Sequence, residues 1–178
     1  ATIDPPTIHP PTIHPPVRRH EQIGLTVSTA LDTLDDLAAL VGADLGTSSW
    51  VEIDQARINT FADATDDHQW IHVDAERART GPFGTTIAHG YLTLSLIIPL
   101  FGELLEIRGT SMSVNYGLDK VRFPSPVPVG GRIRLRGTVD SVDEVGGNGV
   151  QMALTFQIEV EGSAKPACVA QALFRHYA

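Results

Sequence analysis

Apolar positions recur with two different periods along the chain, and the change of period separates a helical half from a sheet. After Leu31, the residues Leu34, Leu37, Ala38 and Val41 share one face of a short helix, with Asp32 placed to cap it and Gly42 just past its end. A strand is expected near residues 49–53. Asp54 then caps a helix over residues 55–64, whose Ile58, Phe61 and Ala62 form the apolar stripe. Residues 65–72 leave that helix as a loop. Asp74 is a second N-cap, for a short helix over residues 75–79 that Gly81-Pro82 ends. A long helix over residues 88–105 carries Tyr91, Leu92, Leu94, Leu96, Ile97, Ile98, Leu100, Phe101 and Leu104 and is apolar nearly all round. Such a helix must be wrapped by other structure.

Past residue 110 the period drops to two. Residues 111–116 and 120–123 read as short strands. Ile133, Leu135, Gly137 and Val139 alternate with Arg132, Arg134, Arg136 and Thr138, and the same alternation runs from Val150 to Val160. Gly146-Gly147-Asn148-Gly149 joins those two stretches as a hairpin turn. A final strand covers residues 167–176 after Pro166. The pattern predicts an α+β fold, in which a curved antiparallel sheet with one apolar face closes over one central hydrophobic helix.

Residues 1–30 stand apart. The pentad Thr-Ile-His-Pro-Pro repeats there, and its paired prolines impose extended backbone and remove donors. That segment is expected to be a flexible tail whose His9, His14 and His20 are solvated, with one folded domain over residues 31–178.

At 178 residues the chain suits a single domain that buries about 70% of its unfolded surface. The net charge of −8 argues against a nucleic-acid partner, which needs a basic stripe. The single cysteine, Cys168, excludes an internal disulfide and reads as a buried, inert thiol. The apolar run after Gly90 is too short to span a bilayer and carries Pro99 and Glu103, so no membrane partner is expected. No basic start followed by an apolar run opens the chain, which leaves the cytoplasm as the default compartment.

Candidate chemistry concentrates between Thr65 and Gly90. Asp66, Asp67, His68 and His72 place two carboxylates and two imidazoles within seven residues, and Ile87-Ala88-His89-Gly90 follows at the mouth of the apolar helix. This set supplies a general base, a proton donor and an anion-stabilising helix start. Taken alone, a loop aspartate is a turn or cap residue and a histidine is a satisfied structural imidazole. Their joint spacing with a glycine at a helix start points instead to catalysis. The His-Glu-x-x-His spacing of zinc sites is absent, so no metal is expected. No cofactor is expected either.

These motifs resemble those of the MaoC-like, (R)-specific enoyl-CoA hydratases, and the arrangement of helix, sheet and loop looks like the hot-dog fold. The family's loop places an aspartate five residues before a histidine, which falls here on Asp67 and His72, and Ile87-Ala88-His89-Gly90 supplies the turn at the central helix. Arg122-Phe123-Pro124-Ser125-Pro126-Val127-Pro128-Val129-Gly130 matches the downstream Arg-Phe-x-x-Pro-Val-x-x-Gly segment. The resemblance covers residues 31–178 and is greatest to the short, single-domain, dimeric actinobacterial hydratases. Many members carry Gly-Asp-x-Asn-Pro-x-His. Here Asp66 replaces the glycine and Gln69-Trp70 replace Asn-Pro, so Trp70 is expected to anchor the loop by packing.

The resemblance implies water addition across the trans-2 double bond of a fatty enoyl-CoA thioester. Asp67 and His72 would hold and deprotonate the water and pass on the proton, while the Gly90 N–H would receive the thioester oxygen. His89 is expected to support the turn. Lys120 and Arg122 are candidates for the phosphates of coenzyme A, with Arg132, Arg134 and Arg136 as the alternative basic row. A homodimer is implied as well. Alternatives from the same resemblance are dehydration of a 3-hydroxyacyl group on acyl carrier protein, thioester hydrolysis, and a non-catalytic acyl-binding subunit.

Overall fold

The computed structural model describes residues 29–178, so the expectation of a flexible tail falls almost wholly outside the described residues. Order along the chain begins with β1 (Thr29–Leu31), a 3₁₀ turn over Asp35–Leu40, β2 (Asp44–Thr47) and β3 (Val51–Ile53). Five helical segments follow: α1 (Gln55–Thr65), α2 (Trp70–Val73), α3 (Ala75–Arg79), α4 (Gly90–Ser95) and α5 (Ile97–Leu104). The chain closes with β4 (Leu105–Ile107), β5 (Met112–Arg122), β6 (Gly131–Val145), β7 (Gly149–Val160) and β8 (Cys168–Tyr177).

The main sheet runs β2-β6-β7-β8-β5, with β3 also paired to β6, and its pairings are antiparallel. Alternation builds it as expected. Ile133, Leu135 and Val139 of β6, Met152, Leu154, Phe156 and Ile158 of β7, and Cys168, Ala170, Ala172 and Phe174 of β8 are buried on one face. The β6–β7 turn works because Gly147 and Asn148 both take left-handed backbone, at φ 78° and 53°, as a tight hairpin of this hand requires. At its centre, Phe156 lies opposite Gly137, where an added Cβ would come within 2.9 Å of the ring. Phe101 of α5 packs against both Phe156 and Phe174, at centroid distances of 5.3 and 5.4 Å. Burying each such ring stabilises the fold by about 1.5–3 kcal/mol.

The structure departs from the sequence pattern at several elements. The first helix is a 3₁₀ turn without a side-chain N-cap; Asp36, not Asp32, accepts from the Thr33 N–H and hydroxyl. β1, β2 and β4 are too short to carry a periodic signal. His72, expected in a loop, lies on the single turn of α2. The stretch expected as two strands forms one, β5 (Met112–Arg122). Its pairing with β8 slips between Asn115 and Gly117 and again between Leu118 and Lys120, so Tyr116 and Asp119 are extra residues that hide the alternation.

The expected long helix is broken in two at Leu96. Pro99 has no N–H to give the Ser95 carbonyl, so the α-helical ladder cannot pass through that point. Wrapping is also one-sided. The sheet covers Leu92, Ile97, Leu100, Phe101 and Leu104, while Tyr91 remains 72% exposed and Ile98 is exposed too. Cys168 meets expectation, since it is buried and burial pushes its thiol up to about 11. Among the described residues, no helix is long and apolar enough to cross a membrane.

Candidate active site

Local backbone rules place the first acidic group. Asp54 caps α1 by accepting from the Arg57 N–H at 2.8 Å. At the other end, Asp66 adopts left-handed backbone with φ 57° and terminates the helix. Such a position favours glycine and tolerates aspartate, which explains why glycine serves at this point of the motif. The turn makes Asp66 a cap and passes the chain on to Asp67.

Trp70 then anchors the segment, as expected for a loop without its proline. Its ring packs so closely on Gly81 that a Cβ there would lie 2.8 Å away, and the Arg77 guanidinium sits 4.5 Å over it. Asp74 caps α3 by accepting from the Arg77 N–H at 3.0 Å. The strap that follows is stitched down on both sides: the Ile87 N–H donates to Ile71, and the Ala88 N–H donates to Val127.

His72 is 6% exposed, and its Nδ1 lies 2.7 Å from the Ile87 carbonyl. A carbonyl can only accept, so Nδ1 carries the proton and the neutral ring keeps its lone pair on Nε2. Burial lowers the proton affinity of His72 below the ordinary imidazole value; the Ile87 bond opposes that, His89 adds to it and Asp67 opposes it. The ring therefore keeps a lone pair that can accept a proton.

His89, expected as a support for the turn, stands at the centre of the group. Its ring stacks on His72 with centroids 3.8 Å apart and planes 25° from parallel. Its Nε2 lies 2.9 Å from the Asp67 carbonyl and 4.0 Å from the Asp67 carboxylate. The Asp67 side chain is 52% exposed, and ligand atoms of Asp67, His72 and His89 all fall within 4.8 Å of one another. One nitrogen of each ring is committed to a carbonyl. The Asp67 carboxylate and His72 are close enough for a single water to bridge them.

Gly90 opens α4, so its N–H has no intrahelical acceptor. An added Cβ would lie 3.1 Å from the Phe123 ring, and the absence of a side chain is what leaves the N–H approachable. Because the helix breaks at Leu96, any positive potential here comes from first-turn N–H groups rather than from a long aligned dipole. His72, Gly90, Thr93 and Phe123 line a common cavity of about 250 Å³, closed by Ile87, Ala88 and Val127.

Gln55 and Thr86 belong to no motif that marks them in the sequence. The Gln55 amide donates to the His72 carbonyl at 2.8 Å and accepts from the Thr86 hydroxyl at 2.6 Å, joining α1, α2 and the strap. Those partners are 17 and 31 residues away, beyond any local pattern. His68 is not brought into the group; it faces Asp63 at 3.7 Å on the exposed side of α1. Lys120 and Arg122 lie exposed on β5 and do not line the cavity, although Phe123, next in the chain, does. Arg132, Arg134 and Arg136 are engaged with Glu161, Glu159 and Asp44.

Known proteins resemble the chain in sequence and in shape. Residues 36–161 match the family model described as a MaoC like domain. A 3-hydroxyacyl-thioester dehydratase Z of Mycobacterium tuberculosis is 52% identical over 147 residues, covering 83% of this chain and 97% of that protein. A nodulation protein N of Rhizobium meliloti is 46% identical over 140 residues, covering 78% and 87%. Among solved structures, an (R)-hydratase from A. caviae superposes with a TM-score of 0.61 at 26% identity, covering 75% of this chain and 94% of that one. The split helix against a curved antiparallel sheet is the hot-dog arrangement, and the chain belongs to the hydratases and dehydratases of the MaoC-like family.

Proposed function

We propose that the protein is an (R)-specific enoyl-CoA hydratase, a hydro-lyase that adds water across the trans-2 double bond of a fatty enoyl thioester. One observation carries the reading: the Asp67 carboxylate and the His72 ring approach within 4.8 Å, beside a cavity that His72 shares with Gly90.

That geometry supports the following reaction. Water sits between the Asp67 carboxylate and His72 Nε2, and the pair removes a proton as the oxygen bonds to C3. The proton is returned at C2, so one water is consumed and both side chains end as they began. Charge that grows on the thioester oxygen is met by the Gly90 N–H. Positioned acid–base groups of this kind contribute about 10²–10⁴ in rate, and oxyanion donors about 10²–10³. Likeness to the solved (R)-hydratase supports the stereochemical assignment. The relative named as a 3-hydroxyacyl-thioester dehydratase supports the same chemistry in reverse, with the same residues in reversed roles.

Lys120 and Arg122 are the cations offered to coenzyme A, because they are exposed beside Phe123 while the other basic row is paired with carboxylates. A homodimer that works in the cytoplasm is part of the same reading. Support for pairing comes from β5, an edge strand whose exposed Leu118 lines one groove with the exposed Ile98 of α5.

Incubation with a trans-2-enoyl-CoA, followed by chiral analysis of the product and titration of free thiol, tests the assignment. The expected product is the (R)-3-hydroxyacyl-CoA with its thioester intact. Release of free thiol would establish hydrolysis instead, and the (S) product would reject the stereochemistry.

A further inference from the structure

We propose that His89 is a positioning residue for this reaction, which holds the Asp67 main chain and backs the His72 ring so that carboxylate and imidazole keep their separation. The inference rests on the hydratase reading above and assigns a buried ring of the site that the chemistry leaves unused.

Every face of His89 is occupied by part of the site. Its Nε2–H donates to the Asp67 carbonyl at 2.9 Å, which fixes the main chain from which the Asp67 carboxylate extends. One ring face lies on His72 at 3.8 Å, and Phe61 of α1 packs at a centroid distance of 5.0 Å. Its own carbonyl accepts from the Thr93 N–H and hydroxyl, tying it to α4, and the next residue is Gly90. A single side chain thus spans the loop, α2 and the start of α4. Asp67 and His72 are the titratable groups it touches.

The buried ring has a defined state. It is 2% exposed, and with Nε2–H committed to a carbonyl its Nδ1 holds a lone pair that meets no hydrogen-bond partner. His89 therefore acts through the groups it holds in place rather than through the reacting atoms. Together, the Ile87 carbonyl at one nitrogen and the His89 stack on one face define the plane of the His72 ring, and so the direction of its Nε2 lone pair. A displacement of about 1 Å in such a group costs about 10²-fold in rate.

Two substitutions separate position from bulk. His89→Met keeps volume but removes the donor and the aromatic face; His89→Gln carries an amide whose nitrogen reaches the Asp67 carbonyl. His89→Met is expected to lower kcat by about 10–100-fold with KM within about twofold of the parent, and His89→Gln to recover most of the loss. The His72 Nδ1–H proton, followed by NMR, is expected to exchange faster with solvent in His89→Met and at the parent rate in His89→Gln. Parental kcat in a folded His89→Met would overturn the proposal, as would equal exchange in all three proteins. Should His89→Met fail to fold, His89→Asn, too short to reach, replaces it; activity equal to that of His89→Gln overturns the proposal. The exchange comparison needs no substrate, so absence of turnover in the parent would reject the hydratase reading and leave the role of His89 to be decided separately.

Discussion

Adjacent aspartates do opposite work at the end of α1. Asp66 spends its conformational freedom on left-handed backbone, whereas Asp67 brings its carbonyl and carboxylate to His89. Asp66→Gly should keep turnover within about twofold and change stability by less than about 1 kcal/mol, because glycine accepts the same φ. Initial rates and urea unfolding check this, and a large loss of rate would move the base to Asp66. Spacing made Asp67, His72 and Gly90 candidates in the sequence, since each is fixed relative to a local turn. Gln55 and Thr86 were not, because they meet only after folding. Two buried histidines add a pH dependence. Burial lowers the proton affinity of both His72 and His176 below the usual value of 6.5, so the unfolded chain takes up protons first. Stability is therefore complete above pH 6.5 and declines as the pH falls through the folded values. His176→Asn, which retains a partner for Ser113, should lessen the decline in urea stability between about pH 7.5 and about pH 5; an unchanged decline would remove His176 from this account.

Among the elements, local chemistry predicted caps and turns better than lengths. Asp54, Asp74 and the Gly147-Asn148 turn stand where residue types put them. Hydrophobicity alone misread the central helix, because an apolar run reports burial and not continuity, and Pro99 decides continuity. Bulges in β5 concealed a strand in a similar way: each extra residue inverts the alternation that marks a strand. The break at Leu96 shortens α4 to six residues, so the role proposed for the first-turn N–H of Gly90 rests on close approach. Gly90→Ala is the corresponding test. Its methyl would press on Phe123 at 3.1 Å, and kcat should fall by about 10²-fold as the oxyanion donor is displaced. Parental kcat in that variant would remove Gly90 from the site.

For the molecule as a whole, one sheet covers one side of two short helices, and the other side stays apolar. Period-two alternation over β6, β7 and β8 made the covered face readable in the sequence. The uncovered face was not readable, since a pattern of apolar residues does not distinguish a core from an interface. Ile98 on α5 and Leu118 on the sheet edge are exposed and line one groove, which fits a second copy of the chain. Sedimentation at micromolar concentration should give a dimer, and a monomer alone would reject that reading. The central claim is that the Asp67–His72 pair adds water to an enoyl thioester. It is tested most directly by the rate at which the ultraviolet absorbance of a short trans-2-enoyl-CoA disappears, measured for the parent and for Asp67→Asn. The account predicts loss of the conjugated signal without free thiol in the parent, and a rate lower by about 10²–10⁴ in the variant with folding and ligand binding retained. An equal rate in both proteins would contradict it.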